Sequence, residues 1–226
     1  MKACSRSLFA VLLLALASTL VASAAPETTE DGLVRLKRTR ADAVYQRPGV
    51  TFGGYGKIVL LPPQIAFKKD WQGDHNLKNP RNPVSDDDMV AMITEGQSLL
   101  QQEFGKALAK GGYTLVEKAG PNVLAVKVSI IDLEVAVANQ DVSAWNKTYA
   151  DDGGSGILVI ELFDSTTGQV LARAYDRKGG GNANFSWNTS RDERTNLADA
   201  TYAFRSWAQM FVKGLEHAKK TETAGK

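Results

Sequence analysis

The sequence predicts an α/β two-layer domain of the α+β type: one mixed, mainly antiparallel sheet of about five strands with two long helices on one face. Three observations carry that prediction. Two stretches repeat apolar residues every three to four positions, as a helix with one buried face requires. Between them, runs alternate apolar and polar at period two, the pattern of strands with one wet face. Each helical stretch also opens on a serine followed three residues later by an acid, Ser85 with Asp88 and Ser190 with Glu193, a capping-box pairing.

The elements follow in order. Residues 1–24 read as an export signal. Lys2 and Arg6 precede an apolar run at 8–21, too short to cross a bilayer comfortably. Ala22-Ser23-Ala24 then offers small residues where a signal peptidase cuts. Cleavage near Ala24, and with it a periplasmic or secreted location, is the expectation. Residues 25–50 form an extended lead segment, in which 33–38 alternates weakly as a short edge strand. A single domain is expected over 51–218. It begins with a buried strand at 57–61, closed by Pro62-Pro63 and followed by extended Ile65-Ala66-Phe67. A polar loop at 68–84 leads to the first helix. Its apolar stripe is Met89, Ile93, Leu100, Phe104 and Leu108, with one longer step across Gly96, and Gly111-Gly112 stops it.

A strand at 113–116 and a turn at 119–122 come next. The long β stretch from 123 to 138 changes phase: Leu124, Val126, Val128 and Ile130 share one face, then Ile131, Leu133, Val135 and Val137 alternate on the other phase. A period-two pattern shifts by one only through an extra residue, so a β-bulge is predicted near Ile130-Ile131. After a polar loop at 139–155, a hairpin is expected at 156–175 around Asp164 to Gly168. A glycine-rich loop precedes the second helix, expected over 191–218 with a stripe of Leu197, Thr201, Phe204, Ala208, Phe211 and Leu215. Residues 219–226 read as a disordered polar tail.

Charge and cysteine narrow the function classes. Loss of Lys2 and Arg6 with the leader brings the 27 Lys+Arg down to match the 25 Asp+Glu, so the processed chain is formally neutral and no nucleic-acid partner is expected. The single cysteine, Cys4, lies inside the leader. The cleavage point therefore offers no thiol for a lipid anchor, and the processed chain holds no disulfide. No membrane span is expected after cleavage.

Candidate chemistry is sparse. His75 stands beside Asp74 in a loop, and adjacent side chains seldom form the orienting hydrogen bond of a triad. No histidine pair has metal-ligand spacing. Asp86-Asp87-Asp88 suits a helix N-terminus, and Asp151-Asp152-Gly153-Gly154 does not match a calcium loop, so no metal is expected. Lys178-Gly179-Gly180-Gly181 fits neither nucleotide fingerprint, so no cofactor is expected. Trp71, Trp145 and Trp187 all fall in predicted loops. Indole rings suit sites with one polar edge, so these three, with Asp74 and His75, are the candidate binding residues; core capping from separate loops is the competing reading. The basic stretch Arg35, Lys37, Arg38 and Arg40 reads as a charged sheet edge that discourages strand-to-strand aggregation, or as a contact for anionic lipid or polymer.

Several segments together carry a family likeness: Asp31-Gly32-Leu33, Arg47-Pro48-Gly49, Tyr55, the stretch 58–67 with Asp70-Trp71, then 168–171, Ala172-Arg173-Ala174, Asp176-Arg177 and Trp207-Ala208. The chain resembles the domain-of-unknown-function family 3313 over residues 30–218. That resemblance implies a bacterial envelope protein, often a lipoprotein, and brings no catalytic residues. This chain departs from the lipoprotein pattern at the cleavage site. The expected function is thus a non-catalytic envelope module that binds another envelope protein or a cell-wall component. The alternatives are a small-ligand or glycan binder, and a hydrolase working from the loop that holds Trp71 and His75.

Overall fold

The computed structural model describes residues 27–135, 154–179 and 193–224. The stretch read as an export signal, Trp145, Trp187, most of the glycine-rich segment and the expected Ser190 cap lie outside the described residues. The described chain is a mixed α/β structure: a sheet of eight strands and three helices, against the five strands and two helices expected. The strands are β1 (Val34–Leu36), β2 (Ala43–Gln46), β3 (Lys57–Leu60), β4 (Gln64–Phe67), β5 (Thr114–Leu115), β6 (Val123–Glu134), β7 (Ser155–Asp164) and β8 (Val170–Lys178). The helices are α1 (Trp71–Lys78), α2 (Asp86–Lys110) and α3 (Glu193–Ala224).

Strand order across the sheet is β1-β2-β8-β7-β6-β3-β5, with β4 also pairing β6. Pairing is antiparallel from β1 through β6 and parallel where β3, β4 and β5 join. Register puts Ile65, Ile130, Leu158 and Asp176 in one row across the sheet. Both long helices pack on that face. On α2, Gly96 lies over Ile65, and on α3, Trp207 Nε1 donates to Asp176 Oδ2 at 2.7 Å. Leu124, Val126, Val128, Leu100, Phe104, Leu108, Phe204 and Trp207 close the core between the layers. Phe104 of α2 meets Phe211 of α3 with ring centroids 6.1 Å apart.

Local signals explain much of this. The capping box forms: Ser85 Oγ accepts from the Asp88 N–H at 3.1 Å, and Asp88 Oδ2 accepts from the Ser85 N–H at 2.8 Å. The β7–β8 turn is held by Asp164, whose Oδ1 accepts from the N–H groups of Thr166 and Thr167, while Gly168 adopts φ 70°. The bulge falls one step beyond its predicted place. Register shifts between Ile131 and Glu134, and Asp132 takes φ 50°, which returns Leu133 to the helix-covered face and leaves Ile131 on the other.

Three expectations need correction. The sheet is wider because β1, β2 and β4 also join it, and strands of three or four residues carry too little alternation to stand out. The polar loop at 68–84 contains α1, whose sequence lacks a helical stripe. Tertiary contacts hold it instead: Trp71 is buried, and Asn76 Oδ1 and Nδ2 bracket the backbone of Val84. Finally, α3 does not stop near residue 218 but continues to Ala224. There Lys219 Nζ donates to the Tyr55 carbonyl at 2.6 Å and sits 4.5 Å from the Tyr113 ring centroid.

Candidate functional site

Of the five binding residues nominated from sequence, three can be placed. Trp71 is buried, stacked between Phe67 at 4.7 Å and His75 at 5.4 Å between centroids. Its indole caps the core where α1 meets β4, so it offers no open surface. Asp74 is exposed on α1. The His75 ring has Asn79 Nδ2 3.4 Å from its Nδ1, while its Nε2 is buried without a hydrogen-bond partner. No nucleophile or carboxylate bonds to that ring among the described residues. No group of three or more metal-ligating side chains occurs among the described residues either. No described helix is long and apolar enough to cross a membrane.

A concave feature among the described residues lies elsewhere. A groove of about 820 Å³ opens on the helix-covered face where the sheet runs out from under α3 toward β2 and β1. Its floor is apolar, made by Leu36, Val44, Leu162, Ala172 and Ala174. These side chains share a face because β2, β8 and β7 are in register: Val44 pairs Ala174, and Leu162 pairs Ala172. One wall is α3, which presents Met210, Gly214, His217 and Thr221 at helical spacing. The opposite wall is the turn from β1 to β2, residues 37–41.

That turn is built to stand up. Arg38 holds φ 60°, in the left-handed region that few non-glycine residues enter. Thr39 Oγ1 donates to the Ala41 carbonyl at 2.9 Å, and Asp42 Oδ2 accepts from the Arg177 N–H at 2.8 Å, tying the turn to β8. Lys37, Arg38 and Arg40 are exposed on it, and Lys213 is exposed on the facing helix.

Polar groups on the floor are already satisfied. Gln46 Nε2 donates to the Val50 carbonyl at 3.0 Å. Asp176 accepts from Trp207, and burial pushes its carboxyl above the usual carboxylate range despite that hydrogen bond. Lys178 next to it donates to Ser206 Oγ at 2.9 Å, and burial pulls its ammonium below the ordinary lysine range. The groove thus pairs a largely apolar floor with a cationic rim. Sequence reasoning noticed the rim as a basic run but not the floor. Nothing in a linear reading places residues 37–40 opposite 210–221.

The described residues form a mixed α/β sheet with a groove at one edge of its helix-covered face. The chain belongs to the family described as protein of unknown function DUF3313, whose model matches residues 27–211. No curated protein matches it. Among solved structures, it is similar to a neuraminyllactose-binding hemagglutinin homologue from Helicobacter pylori, at 12% identity and TM-score 0.40 over 77% of this chain and 92% of that one. It is also similar to a DUF330-family protein from Xanthomonas campestris, at 10% identity and TM-score 0.40 over 82% and 95% of the two chains. The PelC dodecamer from Paraburkholderia phytofirmans matches at 11% identity and TM-score 0.37 over 74% and 94%. These likenesses concern the course of the chain, and none bears on the groove.

Proposed function

We propose that this chain is an exported module of the cell envelope that binds another envelope component, with the groove between α3 and the β1–β2 turn as its binding site. The groove is the observation that carries the reading. Its volume of about 820 Å³ falls within the roughly 300–1,000 Å³ typical of ligand sites, with an apolar lining and a few charged groups at the rim. The leader at 1–24 supports export, and the chain beyond it carries no cysteine that would anchor or staple it.

Photo-crosslinking in cells tests the reading. His217 is exposed on the groove wall, and Leu77 is exposed on α1. A photo-reactive residue at His217 is expected to give a defined adduct in the envelope fraction, and the same residue at Leu77 none. Equal yields at both positions, or none at either, contradict the groove as the site. Amino-terminal sequencing of the envelope-purified protein tests export: a start at Ala25 is expected, and a retained Met1 contradicts it.

A further inference from the structure

Resting on the groove reading above, we propose that its occupant is a single-chain anionic amphiphile: one acyl chain lying on the apolar floor, its carboxylate or phosphate head at the turn of residues 37–40. Charge is the first argument. Lys37, Arg38, Arg40 and Lys213 make no hydrogen bond or ion pair among the described residues, unlike Arg173 and Arg205, which are committed to Glu161 and Glu103. Among the described residues, the carboxylates on the lining are Asp176, engaged by Trp207, and Glu216. The rim therefore favours a negative head.

The backbone is the second argument, and it separates an acyl chain from an acidic peptide. Strand β2 is paired on both sides, by β1 and β8, and β8 is paired by β2 and β7. A peptide in the groove finds no free strand edge to extend, and its amides would lie unsatisfied on Val44, Ala172 and Ala174. A hydrocarbon chain brings no such groups. The third argument is Gly214. A Cβ built there meets no heavy atom within 4 Å, whereas at Gly96 and Gly111 it would come to 2.7 Å and 2.6 Å from a core side chain. The latter two let packed elements approach closely. Gly214 weakens the helix with no such contact among the described residues, and it keeps the groove wall clear.

The test is equilibrium titration of the purified protein with palmitate and, separately, palmitoyl-lysophosphatidylglycerol, both below their micelle concentrations. Monopalmitoylglycerol serves as the neutral-head control. Saturable binding of one anionic probe per chain is expected, and whichever head binds tighter distinguishes a carboxylate from a phosphate source. The Lys37→Glu/Arg38→Glu variant, altered only at exposed side chains, is expected to bind on the order of tenfold more weakly. The Gly214→Leu variant fills the groove and is expected to lose binding while melting no lower than the parent. Absent saturable binding, equal affinity for the neutral probe, or full binding by a folded Gly214→Leu protein overturns the inference. If Gly214→Leu fails to fold, the charge-reversal variant decides alone. Preference for an acidic peptide or for phosphatidylglycerol vesicles over both single-chain probes also overturns it. A protein adduct at His217 with no probe binding sinks the acyl reading and spares the groove; failure of both experiments removes both.

Discussion

The helix-covered face of the sheet has two halves, and they are finished differently. Under α2 and the facing stripe of α3, branched and aromatic side chains such as Val126, Val128, Leu158, Phe104 and Trp207 meet with almost no exposure. There Gly96 of α2 and its C-cap Gly111 leave no room for a side chain: a Cβ would crowd Ile65 and Val212 respectively. On β8 the residues shrink to Ala172 and Ala174 before Val44 and Leu36 continue the floor, Gly214 faces open space, and Lys37, Arg38, Arg40 and Lys213 stand at the rim. One helix borders both halves. The lesson is that, among the described residues, the sheet is wider than its two long helices cover, and the strip beyond them joins an apolar floor to cationic side chains.

This contrast gives graded expectations. Phe104→Ala, in the packed half, is expected to cost about 3–5 kcal/mol of stability, because a buried ring leaves a cavity that its neighbours cannot close. Urea unfolding reads the loss; a cost under about 1 kcal/mol would mean that this half is no better packed than the other.

Glu103 gives a smaller effect with a pH signature. Its carboxylate is buried, and the hydrogen bond from Arg205, at 2.9 Å, with further help from Lys106, outweighs desolvation and holds its pKa below the ordinary 4.5. The unfolded chain therefore takes up the proton first, so the carboxylate contributes stability above the ordinary range and loses it as pH falls through the lowered folded value. Glu103→Gln is expected to cost about 1–3 kcal/mol at neutral pH, with the gap to the parent narrowing in acid. A gap independent of pH in thermal melts from neutrality down to acid contradicts the ion-pair assignment. The smallest expected change has the opposite sign: Gly214→Ala should stabilise by about 0.5–1 kcal/mol, since alanine favours the helix and nothing lies in its way. A loss of stability would mean that the space is not open.

The packed half was the legible half. Stripe, cap, hairpin and bulge are all set by neighbours within a few residues, so Ser85 with Asp88, Asp164 with Thr166, and the phase change after Ile130 announced themselves. The open half was not. Strand β2 is too short to show a period. In the packed half α1 is the exception: it lacks an apolar stripe and is held by Trp71 on Phe67 and Asn76 on the Val84 backbone. Gly214 falls between the stripe positions Phe211 and Leu215, where no periodicity marks it. The tryptophan reading rested on loops, and the one ring that can be placed, Trp71, is a core cap. The basic run was seen, but its meaning depended on Lys213 arriving opposite it through the fold.

Methyl carbon resonances of methionine offer the most direct measurement. The sequence has four methionines, of which Met210 lines the groove while Met89 and Met92 sit on α2, away from it. In protein carrying carbon-13 methionine methyl groups, palmitate or palmitoyl-lysophosphatidylglycerol is expected to shift the Met210 signal and leave Met89 and Met92 in place. An unmoved Met210 signal at saturating probe, or equal shifts at all three, would contradict a groove that holds an acyl chain.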